Sequence, residues 1–188
     1  MGDSVLEHTF QDDCDYVGGE KIFRLLRVCM FKRSSNILPL LRLCQYLKSK
    51  KGKLNYVFYK LCIRRYAILC DCYNVSIPIE TRIGKGCCFP HYFPIVINPM
   101  SVIGENCIIH PCVLIGRDRG KVGAPVIGDN CFIGHGAKIV GNPCIGSWSF
   151  ISPGAIVTKS VPCGSLVGSG VNNILSDKGK EHVMLYLR

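Results

Sequence analysis

The sequence predicts a mainly β protein, in which a solenoid of short strands follows an α-helical segment. Two observations favour this fold. From residue 77 onward, aliphatic residues recur at a step of six, and a glycine often comes next. Between residues 21 and 72, apolar residues recur instead at helical spacing. A fixed short period indicates stacked coils that bury a common core, because no single repeat can bury its own apolar side.

We divide the chain into four parts. Residues 1–20 form an N-terminal tail, 21–74 a basic helical segment, 75–168 the repeat domain, and 169–188 a C-terminal extension. Of the 188 residues, 48% are hydrophobic and 19% charged, a composition that can build a core. The apolar stretches are too short to span a membrane, and the polar, acidic start is unlike a secretory signal. We therefore expect a cytoplasmic protein.

Three apolar runs predict about three short basic helices, near residues 22–29, 40–47 and 57–68. The sequence Lys51-Gly52-Lys53 separates the second run from the third.

Positive charge is concentrated in residues 21–65, which hold 13 Lys or Arg and no Asp or Glu. Such a patch would suit peripheral contact with an anionic membrane. A solvated helical face, or packing against the following domain, explains the charge equally well. Nucleic-acid binding is disfavoured, because the aromatic interleaving typical of such surfaces is missing.

The hexad repeat defines one inward column of aliphatic side chains. Its members are Ile77, Ile83, Ile97, Ile103, Ile109, Ile115, Ile127, Ile133, Ile139, Ile145, Ile151 and Val157. Four residues after an aliphatic, a small residue usually follows, and three of these are Cys87, Cys107 and Cys131. The 13 cysteines include no CxxC pair, so we interpret them as reduced thiols that pack as small hydrophobes, and we expect no metal site.

Two stretches break the six-residue rhythm. One is CFPHYFPIVINP (88–99), and the other is the polar, glycine-rich GRDRGKVGAP (116–125). Irregular loops on a regular scaffold are where function concentrates.

The ordered motifs resemble those of the hexapeptide-repeat acyltransferases. They read IPIETRIGKG, FPHYFPIVINP, VIGENCIIHPCVLIG, GAPVIGDNCFIGHGAKIVG and FISPGAIVTKSVP. The match is closest to the serine-acetyltransferase-like branch, especially its short members associated with capsular and exopolysaccharide O-acetylation. The resemblance implies a left-handed parallel β-helix over residues 75–168, a homotrimer, and acetyl-CoA bound in the groove between neighbouring subunits.

The resemblance also assigns residues. The catalytic histidine of the family falls at His91, in His91-Tyr92-Phe93-Pro94-Ile95-Val96-Ile97. The positions that contact acetyl-CoA fall at His135, Gly136, Pro153, Gly154, Thr158 and Lys159. Lys178 or Lys180 is a further candidate for the nucleotide end.

Acyl transfer to a hydroxyl needs a base, because an alcohol is a poor nucleophile until it loses its proton. A neutral His91 suits that role; the alternative is a loop histidine that merely packs against Phe89 and Tyr92. For His110 we expect a surface or inter-coil position. His135 suits either a hydrogen bond to the cofactor or an exposed turn.

The chain departs from the serine-acetyltransferase pattern at three positions. Pro90 and Ser76 replace aspartates of that pattern, and Ala124 replaces a second active-site histidine. A serine acceptor needs charged partners, so these departures favour an uncharged acceptor, a sugar hydroxyl of a polysaccharide or its precursor. Asp118, Glu105 or a backbone carbonyl is then a candidate to orient His91.

Two alternatives stay open. One is serine O-acetylation. The other, of a different class, is a non-catalytic β-helix scaffold or membrane-binding module.

Overall fold

The computed structural model describes residues 37–91, 94–118, 120 and 122–186. Its helices are α1 (Ile37–Ser49), α2 (Lys53–Tyr73) and α3 (Gly179–Met184). Its strands are β1 (Val75–Ser76), β2 (Arg82–Ile83), β3 (Ile95–Ile97), β4 (Val102–Ile103), β5 (Ile108–Ile109), β6 (Leu114–Gly116), β7 (Val126–Ile127), β8 (Phe132–Ile133), β9 (Lys138–Val140), β10 (Cys144–Ile145), β11 (Phe150–Ile151), β12 (Ala155–Val157), β13 (Leu166–Val167), β14 (Gly170–Val171) and β15 (Ile174–Ser176).

The strands form three sheets, and the chain visits them in rotation. Face 1 has the order β1-β3-β6-β9-β12-β14, face 2 the order β2-β4-β7-β10, and face 3 the order β5-β8-β11-β13-β15. Successive coils pair in parallel, as in Ile97 with Ile115 and Ile109 with Ile133, and only β15 runs antiparallel to its neighbour. The mainly β class and the coil-by-coil repeat are confirmed.

Each coil turns at three corners, which we name by content. The histidine corner joins face 3 to face 1 at residues 90–91, 94, 110–113, 134–137 and 152–154. The thiol corner joins face 2 to face 3 at residues 84–87, 104–107, 128–131 and 146–149. The excursion corner joins face 1 to face 2 at residues 98–101, 141–143 and 158–160, and the loop 116–125 leaves from it.

The core of the stack is the aliphatic column, and all twelve of its predicted members are buried. The three cysteines occupy inward slots, as the repeat predicts. Their thiols donate to carbonyl oxygens of the next coil, Cys87 to Gly104 at 3.1 Å and Cys107 to Gly128 at 3.1 Å. The small residue of the repeat therefore also satisfies a backbone acceptor.

Helices α1 and α2 correspond to the second and third apolar runs, and the first run lies outside the described residues. Helix α2 begins after Gly52, whose φ is 126°, and ends at Asn74, which has φ 52°. It is 21 residues long, so the prediction of a short helix is wrong here. Since the sequence from 53 to 73 contains neither Gly nor Pro, nothing breaks the helix earlier.

Side chains of the helices cover the first coil. Arg42 donates to the carbonyls of Ile83 and Gly84. Gln45 donates to those of Ile79 (2.9 Å) and Thr81 (3.0 Å). These contacts fit packing against the following domain, one of the two structural explanations for the basic segment.

At the opposite end, β15 and α3 close the stack. Val183 of α3 is buried against Ile108, Phe132 and Phe150 on the outer side of face 3. Within the described residues, neither long helix is apolar enough to cross a membrane. The expected contact with an anionic membrane finds no support in the structure.

Candidate functional site

The predicted catalytic residue lies at the histidine corner, where the first break in the repeat occurs. Phe89 before it and Ile95 after it are 3% and 0% exposed, so the core holds both ends of the loop. His91 itself is exposed. The alternative of a loop histidine that packs against Phe89 and Tyr92 stays open, and Tyr92 lies outside the described residues.

A second histidine, His110, lies one coil further along the same corner. Cys88 pairs with Ile108, so the segment that leads to His91 runs beside the segment that leads to His110. The backbone N–H of His110 donates to the carbonyl of Ile133 at 2.9 Å. Its half-buried ring lies 4.8 Å from the ring of Phe132, between centroids.

His135 is the third member of the group, on the coil after His110. Burial, followed by the charges of His91 and His135, lowers the pKa of His110 below its ordinary value. His91 and His135 thus both lie within electrostatic reach of His110. The sequence analysis did not bring His110 together with His91 and His135, because their proximity depends on how the coils align across the irregular loop. The available signal was that each histidine closely follows a face 3 segment.

Beside His135, two glycine turns leave open space. Gly136 and Gly154 have φ +68° and +70°, and a Cβ built on either meets no atom within 4 Å. Their backbone N–H groups donate to the coil before, Gly136 to Pro111 at 2.9 Å and Gly154 to His135 at 2.8 Å. The turns are therefore fixed by backbone hydrogen bonds, while the outer side can admit a ligand close to the main chain.

Four of the six predicted cofactor residues, His135, Gly136, Pro153 and Gly154, thus come together with His91. The remaining two, Thr158 and Lys159, follow β12 and lie at the excursion corner. Because β12 has three residues, the two groups stand about 10 Å apart along face 1.

Asn172 fixes this second group, and the sequence did not point to it. Its side-chain oxygen accepts from the N–H of Thr158 (2.7 Å) and of Lys159 (3.0 Å). Its side-chain nitrogen donates to the hydroxyl of Thr158 at 2.8 Å. Both Thr158 and Lys159 are exposed. The structure therefore presents an ordered polar turn with one cation at this edge.

Other candidates lie elsewhere. Glu105 is at the thiol corner, where its N–H donates to Asp129 at 2.7 Å, so it is wrongly placed to orient His91. Asp118 belongs to the loop that leaves the excursion corner. The Lys180 ammonium lies 5.1 Å from the ring centroid of Trp148, and Lys178 immediately precedes α3.

The histidine corner also carries an exposed thiol, that of Cys112. Cys112 has φ 59° and takes the place that Gly136 and Gly154 hold in the following coils. Among the residues that the structure describes, no three His, Cys, Asp or Glu side chains are grouped so as to hold a metal ion.

The first comparison, with models of protein families, gives a match to part of the repeat domain. Residues 124–159 match the family model "Bacterial transferase hexapeptide (six repeats)". This segment contains β7 to β12, including both open glycine turns. The later coils of the histidine corner, at residues 134–137 and 152–154, thus lie within the segment that matches this family model.

The individual relatives are serine acetyltransferases. Serine acetyltransferase 5 of Arabidopsis thaliana is 40% identical over 112 residues, 58% of this chain and 36% of the relative. A serine acetyltransferase of Staphylococcus aureus (strain N315) is 37% identical over 109 residues, 56% of this chain and 51% of the relative. The chain thus spans about a third to a half of these relatives' length.

Solved structures give the same result. The soybean serine acetyltransferase apoenzyme is 30% identical with a TM-score of 0.59, over 74% of this chain and 56% of that one. A serine acetyltransferase in complex with CoA is 25% identical with a TM-score of 0.58, over 74% and 55%.

These relatives overturn one prediction. The inference of a sugar acceptor is wrong, and the likeness to capsular O-acetyltransferases finds no support. The inference was drawn from only three positions, Pro90, Ser76 and Ala124. About 110 residues of the chain resemble serine acetyltransferases. A glycan acceptor and a role in polysaccharide synthesis lose their support with it.

Proposed function

We propose that the protein is a serine O-acetyltransferase that uses acetyl-CoA as the acyl donor. The observation that carries the proposal is the similarity to serine acetyltransferases over 112 residues of sequence and 74% of the chain in structure. A left-handed β-helix, a homotrimer and a cytoplasmic location remain predictions that accompany it.

The donor site would extend along face 1. One structural relative is described as a complex with CoA, and the open sides of Gly136 and Gly154 suit the thin pantetheine arm. His135 and Pro153 flank those turns. Thr158 and Lys159, about 10 Å away across β12, suit the nucleotide end, where an ammonium can neutralise a phosphate.

The acetyl group would then lie near His91. In its neutral form, His91 removes the proton of the serine hydroxyl as the oxygen attacks the thioester carbonyl carbon. The carbon–sulfur bond breaks, the CoA thiolate leaves, and the proton returns to sulfur. The products are O-acetylserine and CoA, and no acyl-enzyme forms. The exposed loop gives His91 access to both substrates.

The departures at Pro90, Ser76 and Ala124 have a consequence for the acceptor. Ala124 is buried and Pro90 has no charge, so neither can meet the ammonium or carboxylate of serine. In this chain other groups must do so, because a zwitterion loses much of its binding energy without charged partners.

The direct test is an acceptor screen with thiol release as the readout. The full chain is incubated with acetyl-CoA and, separately, with L-serine, D-serine, L-homoserine or a panel of sugars. We expect release of CoA and formation of O-acetylserine only where L-serine is present. A sugar as the preferred acceptor, or no transfer to L-serine, would refute the proposal.

A further inference from the structure

His110 is half-buried and anchored by contacts to the next coil, whereas the proposed base, His91, is exposed. The backbone N–H of His110 is bonded to Ile133, and its ring packs on Phe132. Phe132 in turn stacks on Phe150, with centroids 4.4 Å apart and rings 1° from parallel, and contacts Tyr186 at 4.3 Å. His110 thus packs at one end of a row of aromatic rings that continues with Phe132 and Phe150.

The side chain of His91 is exposed, and Pro90 immediately before it is half-buried. An imidazole that acts as a base must present one ring nitrogen, in the correct tautomer, to its substrate. A hydrogen bond at the other nitrogen selects the tautomer and fixes the ring. The loop therefore needs a fixed partner on the body of the protein.

The groups around His110 suit that partnership. His91 lies on the coil before His110, where Cys88 pairs with Ile108, and His135 lies on the coil after it; Phe132 contacts the His110 ring, and Tyr186 contacts Phe132. Partial burial, followed by the charges of the two neighbouring imidazoles, lowers the pKa of His110 and so favours its neutral form. A neutral imidazole carries one unprotonated nitrogen, which accepts a hydrogen bond.

We propose that His110 is a positioning residue for His91, whose ring N–H on the side away from the substrate donates to the neutral ring of His110. The proposal rests on the proposed role of His91 as the base. It assigns to an imidazole anchored in face 3 the task of fixing the tautomer and stabilising the imidazolium formed during transfer.

The first test needs no activity. Histidine ring resonances of the full-length protein are titrated by NMR, in the wild type and in His91→Gln and His135→Gln. We expect His110 to titrate below its ordinary pKa in the wild type and to rise in both variants, because each removes a neighbouring cation. A His110 pKa that does not respond to His91→Gln would overturn the proposal.

The second test is kinetic. His110→Phe keeps an aromatic ring on Phe132 and removes the acceptor, while His110→Gln keeps an acceptor that does not titrate. We expect His110→Phe to lower kcat about 10- to 100-fold, with KM for acetyl-CoA within about twofold, and His110→Gln to recover part of the loss. The matched control is His182→Phe, since His182 also packs on a face 3 aromatic, Phe150, at 5.4 Å.

The pH profile separates positioning from packing. Because the acceptor favours the protonated form of His91, its loss in His110→Phe should move the acid limb of kcat/KM to lower pH, and His182→Phe should leave it in place. If His110→Phe keeps the wild-type kcat and profile while His91→Ala is inactive, the positioning role is refuted and the proposed function stands. If His91→Ala is fully active, the assignment of His91 fails instead.

Discussion

The thiol corner and the histidine corner turn the same coils, and glycine packs closely at both, as Gly134 does against Pro153. Among the described residues of the two corners, however, the glycines with open space beside them lie at the histidine corner. At the thiol corner, a Cβ on Gly84 would lie 2.4 Å from the backbone of Gly104, and one on Gly104 2.3 Å from Asp129 Oδ1. At the histidine corner, a Cβ on Gly136 or Gly154 meets nothing within 4 Å. Glycine therefore permits close packing between coils at the first corner and close approach of a ligand at the second.

The polar groups differ in the same way. Inward thiols at one corner donate to carbonyls of the next coil, as Cys107 does to Gly128. At the histidine corner, the side chains of His91 and His135 are exposed to solvent. The same six-residue repeat can thus hold the coils together at one corner and carry reactive side chains at another.

The largest expected effect is at the open corner. We expect His91→Ala to reduce turnover with L-serine about 10²- to 10⁴-fold, because it removes the proposed base. The KM for acetyl-CoA and the circular dichroism spectrum should stay near those of the wild type, since the side chain is exposed. Turnover within twofold of the wild type, in a folded protein, would contradict the contrast between the two corners.

A pair of glycine variants tests the contrast in stability. Gly104→Ala should lower the free energy of unfolding by about 3 kcal/mol, because the new Cβ collides with backbone atoms of Gly128 and with Asp129. Gly136→Ala should cost only about 1–2 kcal/mol, from its φ of +68°, but should raise the KM for acetyl-CoA. Chemical denaturation compares the two, and equal losses of stability would contradict the assignment of open space.

A smaller effect is expected for the cation at the far edge of face 1. Lys159→Ala should raise the KM for acetyl-CoA about five- to tenfold with little change in kcat, because the ammonium would contact phosphate and not the reacting atoms. Lys85→Ala is the matched control, since Lys85 is exposed at the thiol corner. If both variants bind acetyl-CoA alike, Lys159 is only a surface charge.

The smallest effect concerns thiol reactivity. Cys112 is exposed, whereas Cys107 is buried, and hydrogen bonding to Cys131 and Cys87 together with burial raises the pKa of the Cys107 thiol. A thiol reagent followed by mass spectrometry should modify Cys112 before Cys107, and CoA should slow the reaction of Cys112 about threefold if it lies along the histidine corner, by simple occupancy. Modification of Cys107 in the native protein would contradict the closed state of its corner.

The sequence predicted most of what depends on short-range periodicity. The aliphatic column and the inward cysteines follow from the step of six, because each hexad meets the same environment. Positions that depend on contacts between distant residues were missed. Asn172 caps the turn of Thr158 from the next coil, and His110 joins His91 only through the register between coils. The basic charges of residues 21–65 were considered only together, so the bonds of Arg42 to carbonyls of the first coil were not predicted.

The covered ends of the stack determine how copies of the chain can meet. A run of parallel strands could in principle be extended without limit, since each coil is a template for another. Here Arg42 and Gln45 occupy carbonyls at the start, and β15 reverses direction at the finish, where Gly179 donates to Gly164 at 2.6 Å. The two ends of the stack therefore do not extend by pairing with another copy. Contacts between subunits are expected along the sides of the stack instead.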